Sequence, residues 1–144
     1  MKVSDCMSRN VSVISPNDSI LTAAKAMKQI DAGFLPVGEQ GRLVGMITDR
    51  DIAIRAVAEG RNPHTAVRDI MSSEVLYCFD DEEIAAVAEN MADNKVRRLP
   101  VISRDKRLIG VISLGDLSHS DGGGRHAGTA LGSISEPGGK HAQQ

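Results

Sequence analysis

Two spacings of apolar side chains alternate along the chain. Ile20, Ala23, Ala24 and Met27 recur at the spacing of one helix face. Before them, Val11 to Ile14 is a short β-type run, and Ser15-Pro16-Asn17-Asp18 carries turn and cap chemistry. After them come a short strand, Phe34 to Val37, a turn, Gly38 to Gly41, and a second strand, Leu43 to Thr48. Asp49 to about Ala58 reads as a helix. The same grammar then returns. Val75 to Cys78 is a strand, and a helix runs from Asp81 to about Asn94 with the stripe Ile84, Val87, Ala88 and Met91. Asp80 and Glu83 have capping-box spacing at its start. Strands Leu99 to Ser103 and Leu108 to Ser113 follow. The order strand-helix-strand-strand-helix occurs twice, which predicts an α+β fold.

The residues themselves repeat. Val3, Asp5, Met7 and Ser8 return 64 positions later as Val67, Asp69, Met71 and Ser72, and Leu35-Pro36-Val37 as Leu99-Pro100-Val101. One further residue then enters the second copy, so that Gly45, Ile47 and Asp51 match Gly110, Ile112 and Asp116. Two copies of this length are too few for a solenoid and predict a pseudo-symmetric pair. The repeats divide the chain into 1–60 and 61–120, with a linker at Gly60 to Thr65. Segment 121–144 is rich in glycine and poor in large apolar side chains, the composition of a disordered tail.

Composition narrows the function classes. With 144 residues, the chain is one ordinary domain or two very small ones sharing a core. No apolar run reaches the ~20 residues of a membrane span, and the start lacks a signal peptide's long apolar region. A net charge of -2 without a basic face argues against nucleic acid. Cys6 and Cys78 form no CxxC pair, which points to a reducing, cytoplasmic setting and away from a disulfide scaffold or a zinc site. His119, His126 and His141 are too widely spaced for an ordinary metal-ligand motif, so no metal is expected. There is no P-loop, HExxH or nucleophile elbow, and the expectation is no enzyme and no catalytic residue.

The chemistry concentrates in Gly45-Met46-Ile47-Thr48-Asp49-Arg50-Asp51 and its echo, Gly110-Val111-Ile112-Ser113-Leu114-Gly115-Asp116. Each copy places a hydroxyl where a strand gives way to a helix, and a carboxylate three residues later. Free helix N–H groups suit a phosphate, and an ionised Asp suits the paired hydroxyls of a ribose. The same spacing also describes an ordinary capping box, with Asp in place of Glu. Both readings stand at this point.

The duplicated pattern resembles the cystathionine β-synthase (CBS) domain. The matching pieces are Asp5-x-Met7, Leu35-Pro36-Val37 and Gly45-x-x-Thr48-x-x-Asp51, with Asp69-x-Met71, Leu99-Pro100-Val101 and Gly110-x-x-Ser113-x-x-Asp116. Residues 1–118 carry the resemblance. It implies tandem CBS motifs packed with pseudo-two-fold symmetry, two clefts, and a homodimer. It also implies a soluble regulatory module that binds an adenine nucleotide, AMP or ATP, between the motifs, needs no cofactor, and signals to an unknown protein target by a change of shape or association. By the same resemblance, Asp51 and Asp116 bind ribose and Thr48 and Ser113 contact ribose or phosphate. The purine lies near Ile14 and Pro36 in one cleft and near Cys78 and Pro100 in the other. Basic residues before the Leu-Pro-Val strand imply that Arg97 or Arg98 meets the phosphates of the Thr48–Asp51 cleft; the alternative is solvent, or pairing with Asp93 or Glu89. The short stretch after Asp116 implies a short last helix. The alternative function is a ligand-independent dimerisation scaffold with the same fold.

Overall fold

The structure is a computed structural model and describes residues 1–118; segment 121–144 and His119, His126 and His141 lie outside the described residues. In chain order the elements are α1 (Val3–Cys6), α2 (Ile20–Ile30), β1 (Phe34–Glu39), β2 (Arg42–Thr48), α3 (Asp49–Asp51), a π-helical continuation (Ile52–Val57) and a 3-10 turn (Val67–Asp69). Then follow β3 (Cys78–Phe79), α4 (Ile84–Asn94), β4 (Arg98–Ile102), β5 (Leu108–Ser113) and α5 (Leu114–Ser118). Both predicted hairpins and both long helices are present.

The chain packs as two compact units. One is Ser12–Val75; among the described residues, the other joins Met1–Val11 to residues 76–118. These units are drawn differently from the sequence repeats 1–60 and 61–120. The reason is apolar: Val3 and Met7 are buried with Val87, Met91, Ile112 and Leu117, whereas Val67 and Ile70 are buried with Leu35 and Ile47. The Asp-x-Met-Ser segment at the head of each repeat is thus buried in the core formed by the rest of the other repeat.

In the Ser12–Val75 unit, the side chain of Ser19 caps α2 by accepting the Thr22 N–H at 3.1 Å. The helix buries Ile20, Ala23 and Met27 and stops at Asp31, whose φ of 53° is left-handed. β1 and β2 pair antiparallel, from Phe34 opposite Thr48 to Glu39 opposite Arg42. Gln40 and Gly41 both have positive φ, which suits a two-residue hairpin loop. Val11 to Ile14 does not form the expected strand. Ile14 alone bridges Val37, because its N–H donates to Pro36 and its carbonyl accepts from Gly38, after which Ser15 to Asp18 turn the chain away. β2 lies so close to the next segment that a Cβ on Gly45 would stand 2.6 Å from Met71 Sδ and 2.9 Å from the Ser72 carbonyl.

The other unit repeats this plan with β3 parallel to β4 and β4 antiparallel to β5. Its hairpin turn, Arg104-Asp105-Lys106, holds the extra residue of the second copy, with Lys106 at φ 69°. β3 begins at Cys78, not at Val75. The Asp80–Glu83 capping box is not formed, and α4 starts at Ile84, not Asp81. The amino-terminal segment explains the delay. Val3 N–H donates to the Glu82 carbonyl, Ser4 N–H to that of Asp80, and Ile84 N–H to that of Met1, so the turn at Asp80–Glu82 and the bridge from Glu83 to Lys2 are held by residues 1–4. α5 is short, as its sequence implies. Among the described residues, no helix is long and apolar enough to cross a membrane.

Candidate functional site

β2 and β5 deliver the two hydroxyl–carboxylate pairs to helix starts. Thr48 N–H donates to Asp51 Oδ2 at 3.0 Å, and Asp51 N–H donates to Thr48 Oγ1 at 3.0 Å. Ser113 N–H donates to Asp116 Oδ2 at 2.8 Å, and Asp116 N–H donates to Ser113 Oγ at 3.1 Å. Both pairs are reciprocal capping boxes, so the structural reading of this spacing holds in each unit. All four residues are half-buried. Each box uses only one carboxylate oxygen. Oδ1 of Asp51 and of Asp116 makes no hydrogen bond among the described residues. A carboxylate has about four lone-pair directions, so capping leaves acceptor capacity unused.

The residues expected around the base divide by unit. Ile14, Pro36, Thr48 and Asp51 belong to Ser12–Val75; Cys78, Pro100, Ser113 and Asp116 belong to the other unit, together with Arg97 and Arg98. The side chains of Ile14 and Cys78 lie in the two cores. What these positions can offer a base is therefore the backbone beside them, not a side-chain wall. Pro36 and Pro100 are buried too, in β1 and β4.

Arg98 stands opposite Ser113 in the β4–β5 register, and the Arg97 carbonyl accepts Leu114 N–H at 2.8 Å. Both arginines are exposed, and their guanidinium groups make no hydrogen bond or ion pair among the described residues. The alternative pairing with Asp93 or Glu89 is thus not formed. The contrast is Arg104, which pairs with Asp81 through Nε and Nη2, each at 2.8 Å, and lies 3.9 Å over the Phe79 ring. That contact holds the Asp81 carboxyl below its ordinary value and raises the guanidinium of Arg104.

Sequence reasoning missed a feature next to Thr48. Asp49 N–H donates to the Gly33 carbonyl at 2.9 Å, and the Asp49 carboxylate rests against Gly33, its Cγ 2.8 Å from where a Cβ would stand. Met27, Lys28, Asp31, Ala32, Gly33 and Asp49 line an open depression of about 270 Å³. The available signal was the mismatch between repeats: Gly33 and Asp49 face Arg97 and Leu114 in the second copy.

Neither cysteine forms a disulfide. Burial pushes the Cys78 thiol up to about 12, with Glu82 and Asp80 adding to the shift. Among the described residues, no three His, Cys, Asp or Glu side chains cluster as a metal site would require.

Comparison with known proteins agrees with this arrangement. The CBS domain family model matches residues 3–57 and 67–122. The CBS domain-containing protein YhcV of Bacillus subtilis is 41% identical over 133 residues, covering 92% of this chain and 94% of that protein. The CBS domain pair of protein MJ0100, solved with 5′-methylthioadenosine and S-adenosyl-L-methionine, is 30% identical with a TM-score of 0.72, covering 82% of this chain and 93% of that one. A CBS domain protein of Pyrobaculum aerophilum, solved with AMP, shares the fold at a TM-score of 0.78 and 22% identity, covering 90% of this chain and 99% of that one. With two matched repeats spanning most of its length, the chain belongs to the CBS domain family.

Proposed function

We propose that this chain is a regulatory module that binds an adenosyl ligand, an AMP or ATP type nucleotide or a relative of it, and answers by a change of shape or association. One observation carries the reading: among the described residues, the Asp of the cap in both units keeps a carboxylate oxygen without a partner, at a half-buried position, where it can accept from ribose hydroxyls. Arg97 and Arg98, exposed and unpaired among the described residues, supply guanidinium groups suited to phosphate. The adenosyl ligands of the MJ0100 pair support the ligand class. A ligand moves such a module only through different affinities for its two states. The exposed Ile54 and Val57 face of the helix after Asp51 is the surface through which the module meets a second copy of itself. The cytoplasm is its place of action.

The test is thermal unfolding with AMP, ATP, S-adenosylmethionine and 5′-methylthioadenosine. A ligand at 100 times its Kd adds roughly 2.7 kcal/mol of stability, a rise of several degrees in Tm. Asp51→Ala combined with Asp116→Ala removes that rise and also lowers the Tm of the free protein, since each lost cap costs about 0.5–2 kcal/mol. A second reading, a ligand-independent scaffold, draws on the capping role that both carboxylates visibly play. It prevails if no adenosyl ligand moves the melt; a double variant that loses stability yet binds as before would show that the two carboxylates are caps only.

A further inference from the structure

Resting on the adenosyl reading above, we infer that Tyr77 is the wall on which the purine stacks in the unit of Ser113 and Asp116, so that the two units grip the base by different means. The side chain of Cys78 lies in the core, and the base needs a surface from a neighbour. The strand register supplies one. Cys78 stands opposite Val101, and Leu99 opposite Ile112, and all four share the core. Residues between them alternate to the other face of the sheet. Tyr77 and Phe79 therefore lie on the face of Pro100, which pairs with Val111, and of Arg98, which pairs with Ser113. Ser113 is the hydroxyl of the cap that Asp116 completes. Tyr77, at the head of β3, and the sugar-reading pair, at the end of β5, are two strand spacings apart, about 10 Å. An adenosine bridges such a span.

The ring is presented to solvent and braced from one side. Tyr77 is 41% exposed. Among the described residues its one ring contact is with Phe79, at 5.6 Å between centroids and 87° between planes. Phe79 is itself held, with Arg104 3.9 Å and Lys106 5.0 Å from its ring centre. A ring fixed in this way loses little freedom when a base covers its open face, so little ordering entropy opposes the stack. The first repeat has no such wall. Tyr77 and Phe79 correspond there to Val13 and Ser15, and a base would meet the exposed side chain of Val13. The ring of that unit, Phe34, is half-buried and stands opposite Thr48, at the sugar end of the sheet face. Stacking a base on an aromatic ring strengthens binding about tenfold. The repeats have therefore diverged in how they hold the base, while both keep the carboxylate that reads ribose.

Tyr77 is the single tyrosine of a chain without tryptophan, so the protein's emission reports this ring. The experiment titrates the full chain carrying Asp51→Asn, which removes the charge of the other ribose acceptor. AMP and 5′-methylthioadenosine, which share the base, are followed by tyrosine fluorescence and by calorimetry, with N-acetyltyrosinamide as the inner-filter control. Both ligands are expected to quench Tyr77 in step with occupancy. Tyr77→Val, the residue of the first repeat, should lower both affinities about tenfold, and Tyr77→Phe should keep them within about twofold. Tyr77→Leu repeats the aliphatic arm if Tyr77→Val melts early in the absence of ligand. Binding without quenching, an affinity unmoved by the aliphatic substitutions, or loss of all binding with Asp51→Asn alone overturns the inference while adenosyl binding by the unsubstituted protein stands. If neither ligand binds the unsubstituted protein, the adenosyl reading has failed and this inference falls with it.

Discussion

Cys78 shows how a single side chain is assigned by its surroundings. Its residue is 1% exposed within the core, and its thiol is held up to about 12 from an ordinary 9.0. The protonated form is the one the fold favours. The stability it lends is complete below pH 9.0 and is lost as the pH rises through about 12. At pH 8 the folded protein should therefore take up iodoacetamide at half-buried Cys6, while Cys78 reacts only once denaturant opens the core; equal labelling rates, read by peptide mass, would contradict this. The dual life of Asp51 and Asp116 is also a residue-scale matter. Thr48-x-x-Asp51 is legible in sequence as cap and as ribose acceptor alike, because both uses need the same groups at the same spacing. Only coordinates show that one oxygen does the capping and the other is left.

At the scale of elements, hydrophobic period named the helices and hairpins, since each buries one face: Ile20, Ala23 and Met27 in α2, and Ile84, Val87, Ala88 and Met91 in α4. Helix starts were less legible where a distant segment decides them. Asp80 to Glu83 carry local capping chemistry, but their backbone groups bond to residues 1–4, and no local pattern reports that. The strand Val11 to Ile14 failed for a related reason, because only Ile14 finds a strand edge to pair with. The helix after β2 leaves Ile54 52% and Val57 67% exposed, one turn apart, on a segment whose Ala58 N–H reaches back to Ala53. Apolar side chains so placed are expected to meet a like surface. Ile54→Glu should convert a dimer into a monomer in sedimentation velocity without lowering the Tm measured at concentrations where the dimer has dissociated. A wild-type chain that sediments as a monomer at every concentration would count against it.

For the whole molecule, the repeat in sequence and the unit of packing are offset. Val67 and Ile70 are fully buried with the Ser12–Val75 core, although by sequence they open the second copy. A fragment spanning 12–75 keeps every buried residue of that cluster and should unfold cooperatively. A fragment spanning 1–60 lacks Val67 and Ile70 and should show no cooperative melt by circular dichroism. The reverse outcome would mean that the sequence repeat, and not the packing unit, is the folding unit. Alignment of the copies found the duplication readily, since Leu35-Pro36-Val37 and Leu99-Pro100-Val101 announce it. It could not show which copy each Asp-x-Met-Ser segment joins, because Val3 and Val67 are equivalent in type and would fit either core.

The attachment of residues 1–11 to the later unit also imposes an order on biosynthesis. As the chain leaves the ribosome, everything needed for the Ser12–Val75 core is available once residue 75 has emerged, whereas Val3 and Met7 must wait for Ile112 and Leu117. For the time it takes to translate roughly forty further residues, about 2–8 seconds at 5–20 residues per second, the earliest-made stretch stays unburied while its neighbour is already folded.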